Sequence, residues 1–163
     1  KNREALTSAL EILPEYLKTE SSKEDKVTDY RDWQIPLGRR FRALKLWMVI
    51  RHYGVEGLCH FARDHIQQAQ MFAAWVKADD RFALAAPHPM TLVTFRHLGG
   101  DAVTERILEI VNESGQLYLS HCKLAGKYIL RMAIGSSKTT EQHIEQAWKA
   151  ICQAAEQAQL ELA

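Results

Sequence analysis

The sequence lacks an excess of charge of either sign, a long hydrophobic run and a cysteine framework. Its 21 basic and 20 acidic side chains leave a formal net charge of +1, so no broad field attracts nucleic acid or an anionic membrane. Apolar runs such as Leu46–Ile50 are far too short to span a bilayer. Cys59, Cys122 and Cys152 have no metal-type spacing and cannot all pair with one another. This pattern indicates buried thiols in a reducing, cytoplasmic compartment.

The sequence also shows no secretory signal peptide, and it begins with Lys1 rather than Met. We therefore expect a piece of a longer polypeptide. Its 163 residues, 47% hydrophobic and 25% charged, are typical of one soluble globular domain or a large part of one. The polar stretch Thr19–Asp29 has too few apolar groups to bury itself, so it is predicted to be a mobile loop.

Hydrophobic periodicity predicts two helices in the first half of the chain. The first covers Arg39–Tyr53 and ends at Gly54, a residue suited to a left-handed helix end. It is apolar on all sides, so we expect it to be buried between domains or subunits. The second, Val55–Ala78, is amphipathic, with apolar residues recurring every three or four positions.

The second half changes to strand-like alternation. Four strands are predicted, at Phe82–Ala86, Met90–His97, Leu117–Cys122 and Lys127–Ile134. Asp101 is the predicted N-cap of one helix, and Thr139 with Gln142 is predicted to form a capping box for the last one. The order β-β-α-β-β-α predicts an α+β fold in which an antiparallel sheet carries helices on one face.

Residues 29–47, DYRDWQIPLGRRFRALKLW, closely resemble the segment that follows the mobile catalytic loop in aromatic amino acid decarboxylases, the group II pyridoxal-phosphate (PLP) decarboxylases of fold type I. The likeness continues through His52–Leu58 and Tyr128–Ile134. It implies a small C-terminal domain at 55–163, preceded at 1–54 by a catalytic-loop and interface segment. It also implies a large cofactor-binding domain upstream and a homodimer with active sites at the subunit interface.

The resemblance implies PLP as the cofactor, attached to a lysine in an Asn-Pro-His-Lys-Trp type motif just upstream of this chain. The sequence contains no His-Lys pair. We therefore expect a part of an enzyme that converts an aromatic amino acid into an amine and CO₂, inactive on its own. The alternative is a non-catalytic α+β binding or dimerisation domain. Tyrosine, phenylalanine, dopa, tryptophan and 5-hydroxytryptophan all remain open as substrates, and the resemblance extends to histidine decarboxylases.

Tyr16, in the run Pro14–Lys18, stands where the resembled family carries its loop tyrosine. Loss of CO₂ leaves negative charge at the substrate α-carbon, which must then be protonated. A phenol with a pKa of about 10 stays protonated at neutral pH and can donate. The related aldehyde synthases carry phenylalanine there, so Tyr16 favours decarboxylation. The alternative is a half-buried aromatic residue near a helix end.

Two further residues are candidates. The resemblance places Gly38 on a loop that reaches the partner subunit's active site, where a glycine leaves room for a bulky aromatic ring. The alternative is an ordinary loop glycine before a helix. Arg131 lies on a predicted strand, and fold-type-I enzymes often hold a carboxylate with a small-domain arginine through two parallel hydrogen bonds. The alternative for Arg131 is a structural salt bridge.

Other polar groups predict no further site. Six basic residues between Arg31 and Arg51 are interleaved with a wholly apolar helix, which favours a domain or dimer interface over nucleic-acid binding. The histidines show no metal-ligand spacing, and His65 is expected to be a hydrogen-bonded core residue. His121 and Cys122 are adjacent on a strand, so their side chains are expected to point to opposite faces.

Overall fold

The computed structural model describes residues 3–10 and 41–162. The chain divides into two compact units, Lys1–Val55 and Glu56–Ala163. Helix α1 spans Arg3–Leu10 in the first unit, and helix α2, Arg42–Ala78, begins in the first unit and ends in the second. Among the helices in these residues, none has the length and hydropathy needed to cross a membrane. The predicted loop Thr19–Asp29 lies outside the described residues.

Helix α2 is interrupted where the sequence predicts a helix end. Gly54 has φ 67° and ψ 173°, a backbone conformation that glycine adopts without a side-chain clash. The prediction of two successive helical segments that meet at Gly54 is therefore confirmed. The predicted start at Arg39 lies outside the described residues, but the inclusion of Phe41 was wrong, because Phe41 has φ 57° and the helix begins at Arg42.

The second unit contains the sheet and two further helices. Its elements after α2 are β1 (Phe82–Leu84), β2 (Leu92–His97), α3 (Asp101–Glu113), β3 (Ser120–Leu124), β4 (Lys127–Ala133) and α4 (Glu141–Glu161). Among the described residues, the strands form one sheet in the order β1-β2-β4-β3, and every neighbouring pair is antiparallel. The predicted α+β class and the order of its elements are confirmed.

The third strand begins later than predicted because a side chain replaces its first partner. The Leu119 N–H donates to Asn112 Oδ1 at 2.8 Å, and Asn112 Nδ2 donates to the Leu119 carbonyl at 3.1 Å. The backbone N–H and carbonyl of buried Leu119 thus have hydrogen-bond partners although Leu119 pairs with no strand. As a result, β3 starts at Ser120 rather than Leu117. The strand also runs on to Leu124, which shortens the predicted turn.

Both predicted helix caps were wrong by one residue. Gly100, with φ 105°, is the N-cap of α3, and its carbonyl accepts from the Thr104 N–H at 3.1 Å. Asp101 is instead the first helical residue, where its charge complements the helix dipole. At α4 the N-cap is Thr140, in an extended conformation, and His143 closes the capping box by accepting from the Thr140 N–H at 3.1 Å.

The core of the second unit lies between the helices and one face of the sheet. Phe72 on α2 and Phe95 on β2 are fully buried, and their ring centroids are 5.4 Å apart. Trp148 on α4 meets both Phe72 and Phe82 edge-on or tilted, at 5.6 and 5.3 Å. We call this the core face of the sheet. Its members on β2 and β4 include Val93, Phe95, Tyr128 and Leu130.

Candidate functional site

Arg131 lies on the sheet face opposite the core face. It pairs with Thr94 on β2 and with Ser120 on β3, so it stands on an interior strand of the described sheet. It is half-buried, and its Nη1 donates a long hydrogen bond of 3.5 Å to Ser120 Oγ. The predicted alternation along β4, with Leu130 on one face and Ile129 and Arg131 on the other, is confirmed by this register.

Arg96 is a polar residue of the same face that the sequence analysis did not single out. It lies two positions beyond Thr94 on β2, and β2 alternates half-buried and buried residues along its whole length. The alternation puts Phe95 and His97 on the core face and Arg96 opposite them. The sequence did contain a signal for Arg96, because it is an arginine inside an alternating strand and lies two residues from Thr94, the residue that pairs with Arg131.

The two other predicted site residues, Tyr16 and Gly38, lie outside the described residues. Of the three predicted site residues, the described part of the chain therefore contains only Arg131. The roles predicted for Tyr16 and Gly38, and the role of Arg131 in holding a carboxylate, remain predictions.

An ion pair and a buried histidine join the end of α2 to β2 and α4. Arg81 donates to both carboxylate oxygens of Asp79, at 2.9 and 2.7 Å, and this hydrogen bonding lowers the pKa of Asp79. The Cys152 thiol lies 3.9 Å from Asp79 Oδ2, and burial raises the pKa of Cys152. A thiol held in its protonated form is a poor nucleophile, so this cluster is structural rather than catalytic.

His97 is the buried histidine of that cluster. Its Nδ1 accepts from the Gly99 N–H at 3.0 Å, and its ring meets the Phe82 ring edge-on at 5.1 Å. Burial lowers the pKa of His97, and the nearby positive charge of Arg81 lowers it further. Because Nδ1 accepts a hydrogen bond, the neutral imidazole carries its proton on Nε2, a buried atom with no hydrogen-bond partner among the described residues.

The remaining histidine predictions can be compared with the structure. His65 is buried, and its Nε2 donates to the Ser136 carbonyl at 3.2 Å, which confirms a hydrogen-bonded core residue. His121 pairs with Leu130 and Cys122 with Ile129, so the two side chains lie on opposite faces, as predicted. In the ranges 3–10 and 41–162, no group of three or more metal-ligating side chains comes together.

The described residues do not fit the attachment of PLP. A lysine that forms a Schiff base is usually activated by removal from water or by a neighbouring charge. Every lysine in the described ranges is exposed: Lys45, Lys77, Lys123, Lys127, Lys138 and Lys149. The part of the chain that the structure describes therefore provides no site where a buried lysine could hold the cofactor aldehyde.

A family model described as the pyridoxal-dependent decarboxylase conserved domain matches residues 1–98. The chain belongs to this family. The family predicted from residues 29–47 is thereby confirmed, and with it PLP as the family's cofactor.

Similar proteins are named for aromatic amino acid chemistry. The chain is 47% identical over 156 residues to tyrosine decarboxylase 2 of Narcissus pseudonarcissus, covering 91% of this chain and 31% of that protein. It is 45% identical to phenylacetaldehyde synthase of Arabidopsis thaliana, covering 93% and 32%. A crystal structure of Oryza sativa TDC with PLP and tryptamine superposes with a TM-score of 0.68 at 38% identity, covering 93% and 33%. This decarboxylase-family chain thus spans about a third of the length of the relatives it matches.

Proposed function

We propose that this chain is the C-terminal part of a PLP-dependent aromatic amino acid decarboxylase, a carboxy-lyase that releases an amine and CO₂. The observation that carries the proposal is the 47% identity, over 91% of the chain, with a protein named tyrosine decarboxylase. We further propose that the chain is inactive alone, with the cofactor lysine upstream of it. The six exposed lysines of the described residues support this second point. We leave the choice among aromatic substrates open.

Tyr16 is the residue to which we assign proton transfer. When bound, PLP supplies the electron sink that stabilises negative charge at the substrate α-carbon once CO₂ has left. Tyr16 then delivers its phenolic proton to that α-carbon, since a phenol with a pKa of about 10 is protonated at neutral pH. A position beside a loop that closes over the site would keep water away from this carbon.

We assign Gly38 to the substrate pocket of the partner subunit in a homodimer. Exposed apolar residues on the first part of α2 support a large interface in this region, because a helix that is apolar on all sides is normally buried. Leu46, Trp47 and Met48 are 61%, 58% and 56% exposed. A balanced net charge of +1 favours a protein partner over nucleic acid. We also propose a cytoplasmic location, from the unpaired cysteines.

Arg131 is assigned, more weakly, to the substrate carboxylate. Its half-buried position on an interior strand and its planar guanidinium suit a carboxylate held by two hydrogen bonds. Strong pairing would favour the ionised substrate over the transition state in which the carboxylate loses its charge. Arg131 would therefore orient the substrate, and a structural ion pair remains its alternative role.

The test of this function uses the chain joined to, or co-expressed with, its upstream domain. The wild-type protein is expected to show the absorption of bound PLP and to release both CO₂ and amine from an aromatic amino acid. Tyr16→Phe is expected to retain the PLP absorption but to lose amine formation by about 10²-fold or more, the usual size of a general-acid contribution. Tyr118→Phe, at a tyrosine that is 74% exposed, is the matched control and should leave the rate unchanged.

Normal amine formation by Tyr16→Phe would show that the assignment of Tyr16 is wrong. The identity with phenylacetaldehyde synthase supports one other candidate, an enzyme that forms an aldehyde. Product analysis separates the two, since amine from the wild-type protein favours the decarboxylase and aldehyde favours the synthase. If no PLP-dependent product of either kind forms, the non-catalytic α+β domain becomes the better interpretation.

A further inference from the structure

An open pocket of about 470 Å³ is lined by residues of α4 and of the C-terminal end of α2. Its aromatic residues are Trp75 on α2 and Trp148 on α4, and Ala78, Asp79 and Asp80 complete its lining. We call it the aromatic–acidic pocket. All five residues belong to the second unit. None of them has a role in the proposed enzymatic function, so a role for this pocket does not depend on that function.

The two tryptophans are held in place by the core. Both are half-buried and pack against the core cluster of the second unit. Trp148 meets Phe72 edge-on at 5.6 Å and the tilted ring of Phe82 at 5.3 Å. Because these contacts already restrict the side chain, a ligand that binds to its accessible part orders little more. The indole surface that lines the pocket is therefore preformed.

The two carboxylates of the pocket differ in their partners. Asp79 accepts hydrogen bonds from Arg81 at 2.9 and 2.7 Å, so its charge is paired. Asp80 is exposed, and in the described part of the chain no hydrogen bond or ion pair joins its carboxylate to another residue. The pocket also includes Ala78, the last residue of α2, where the helix dipole is negative. Lys77 of the same turn does not line it. One carboxylate is thus available to a cation.

This combination of groups favours an organic cation over a metal ion. Ca²⁺ takes about six to eight oxygen ligands, whereas no group of three or more metal-ligating side chains comes together in the described ranges. An ammonium ion with carbon substituents is attracted to indole faces by its charge, and its apolar groups are covered by the rings. A volume of about 470 Å³ is sufficient for a small molecule of this kind.

We propose that the aromatic–acidic pocket binds a small organic ammonium ion. Trp75 and Trp148 contact its carbon substituents, and Asp80 is its counter-ion. The amine product of the proposed reaction belongs to this chemical class, although the site is inferred without it.

The test is a titration of the 163-residue chain with tetramethylammonium, followed through the indole N–H resonances of its tryptophans. This probe has no N–H group, so it reports cation–π and charge contributions alone. The resonances of Trp75 and Trp148 are expected to shift progressively, whereas that of Trp47, on the first part of α2, should not move. Neutral tert-butanol, which has a similar shape, and sodium, which keeps its hydration shell, should shift neither.

Substitutions separate the two contributions. Trp75→Leu removes a ring face but retains apolar bulk, and it should weaken binding about threefold or more. Asp80→Asn removes the counter-charge and should weaken binding by a similar factor. Glu105→Gln, at an exposed carboxylate on α3, is the matched control and should leave the affinity unchanged. If Trp75→Leu does not fold, Asp80→Asn at its exposed position still tests the site.

Four results would overturn the proposal: no shifts in the wild-type chain, equal shifts with tert-butanol, equal shifts with sodium, or equal weakening by Glu105→Gln. Calorimetry of the chain joined to its upstream domain distinguishes a free ligand from a contact within the longer polypeptide. Binding that persists there and is weakened by Asp80→Asn supports the free ligand. Binding that is lost there would overturn the proposal in favour of a pocket covered by the rest of the polypeptide. None of these measurements uses PLP or turnover, so the decarboxylase proposal is tested separately.

Discussion

The two parts of helix α2 have similar apolar content but opposite surroundings. Before Gly54, Leu46, Trp47 and Met48 are each more than half exposed. After Gly54, Phe72 and Val76 are fully buried against the sheet and α4. The second unit therefore contains its own core, whereas no other described residues bury the apolar surface of the first part of α2. Hydrophobic burial is the main favourable term in folding, so the two parts should contribute very differently to stability.

The largest expected effect comes from truncating one aromatic residue on each side of Gly54. Phe72→Ala should lower the free energy of unfolding by about 3–5 kcal/mol, because it removes a fully buried ring and leaves a cavity. Trp47→Ala should change it by less than about 0.5 kcal/mol, as expected for an exposed position. Chemical denaturation followed by circular dichroism measures both. Similar losses of unfolding free energy in the two variants would contradict this difference between the two parts of α2.

A smaller effect is expected from pH, and it should be confined to the second unit. His97 has a lowered pKa in the folded chain, because burial disfavours its charged form. As the pH falls below about 6.5, the ordinary histidine value, the unfolded chain takes up a proton that folded His97 does not. The contribution of His97 to the free energy of unfolding should therefore be complete above that pH. As the pH falls further, the free energy of unfolding should decrease by at most about 1.4 kcal/mol per pH unit, until folded His97 is protonated as well.

Denaturation curves at several pH values between about 5 and about 8 measure this dependence. His97→Gln is the comparison variant, and its stability should change less with pH over the same range. An unchanged slope in His97→Gln would assign the effect to another histidine. The lowered pKa of Asp79 acts at a more acidic pH and does not interfere, since that carboxylate is ionised throughout this range.

The smallest expected effect is at the hairpin turn between β3 and β4. Ala125 has φ 50°, a left-handed conformation that costs a residue with a Cβ roughly 1–2 kcal/mol. Ala125→Gly removes this strain but gives the unfolded chain more freedom. The net gain should be about 0.5 kcal/mol or less, visible as a higher midpoint of thermal unfolding in the second unit. A lower midpoint would mean that the turn is not strained at Ala125.

The type and order of the elements could be predicted from sequence because periodicity is a local property of the chain. Their boundaries could not, because side chains compete for the same backbone groups. Asn112 replaces a strand partner for Leu119, and Thr140 rather than Thr139 is the N-cap of the last helix. Neither choice is visible in the hydrophobic pattern. One-residue shifts of this kind are the usual error at helix ends.

The candidate site could be predicted only in part, and for a different reason. Tyr16 and Gly38 have no distinctive pattern of their own, and they were found through the resemblance of their flanking residues. Arg131 could be placed on a strand face from alternation alone. Arg96 was missed because its proximity to Arg131 depends on which strands are neighbours, and β2 pairs with β4 rather than with β3. Strand order is a property of the whole fold, which one segment of sequence does not contain.

Amide hydrogen exchange of the 163-residue chain tests most directly the claim that, among the described residues, the complete core lies after Gly54. We expect the amides of Val93, Phe95 and Leu130 to exchange slowly, through unfolding of the whole unit. We expect the amides of Leu46–Ile50 to exchange orders of magnitude faster, because an isolated helix of this length is marginal in water. Equal protection in the two regions would contradict the account.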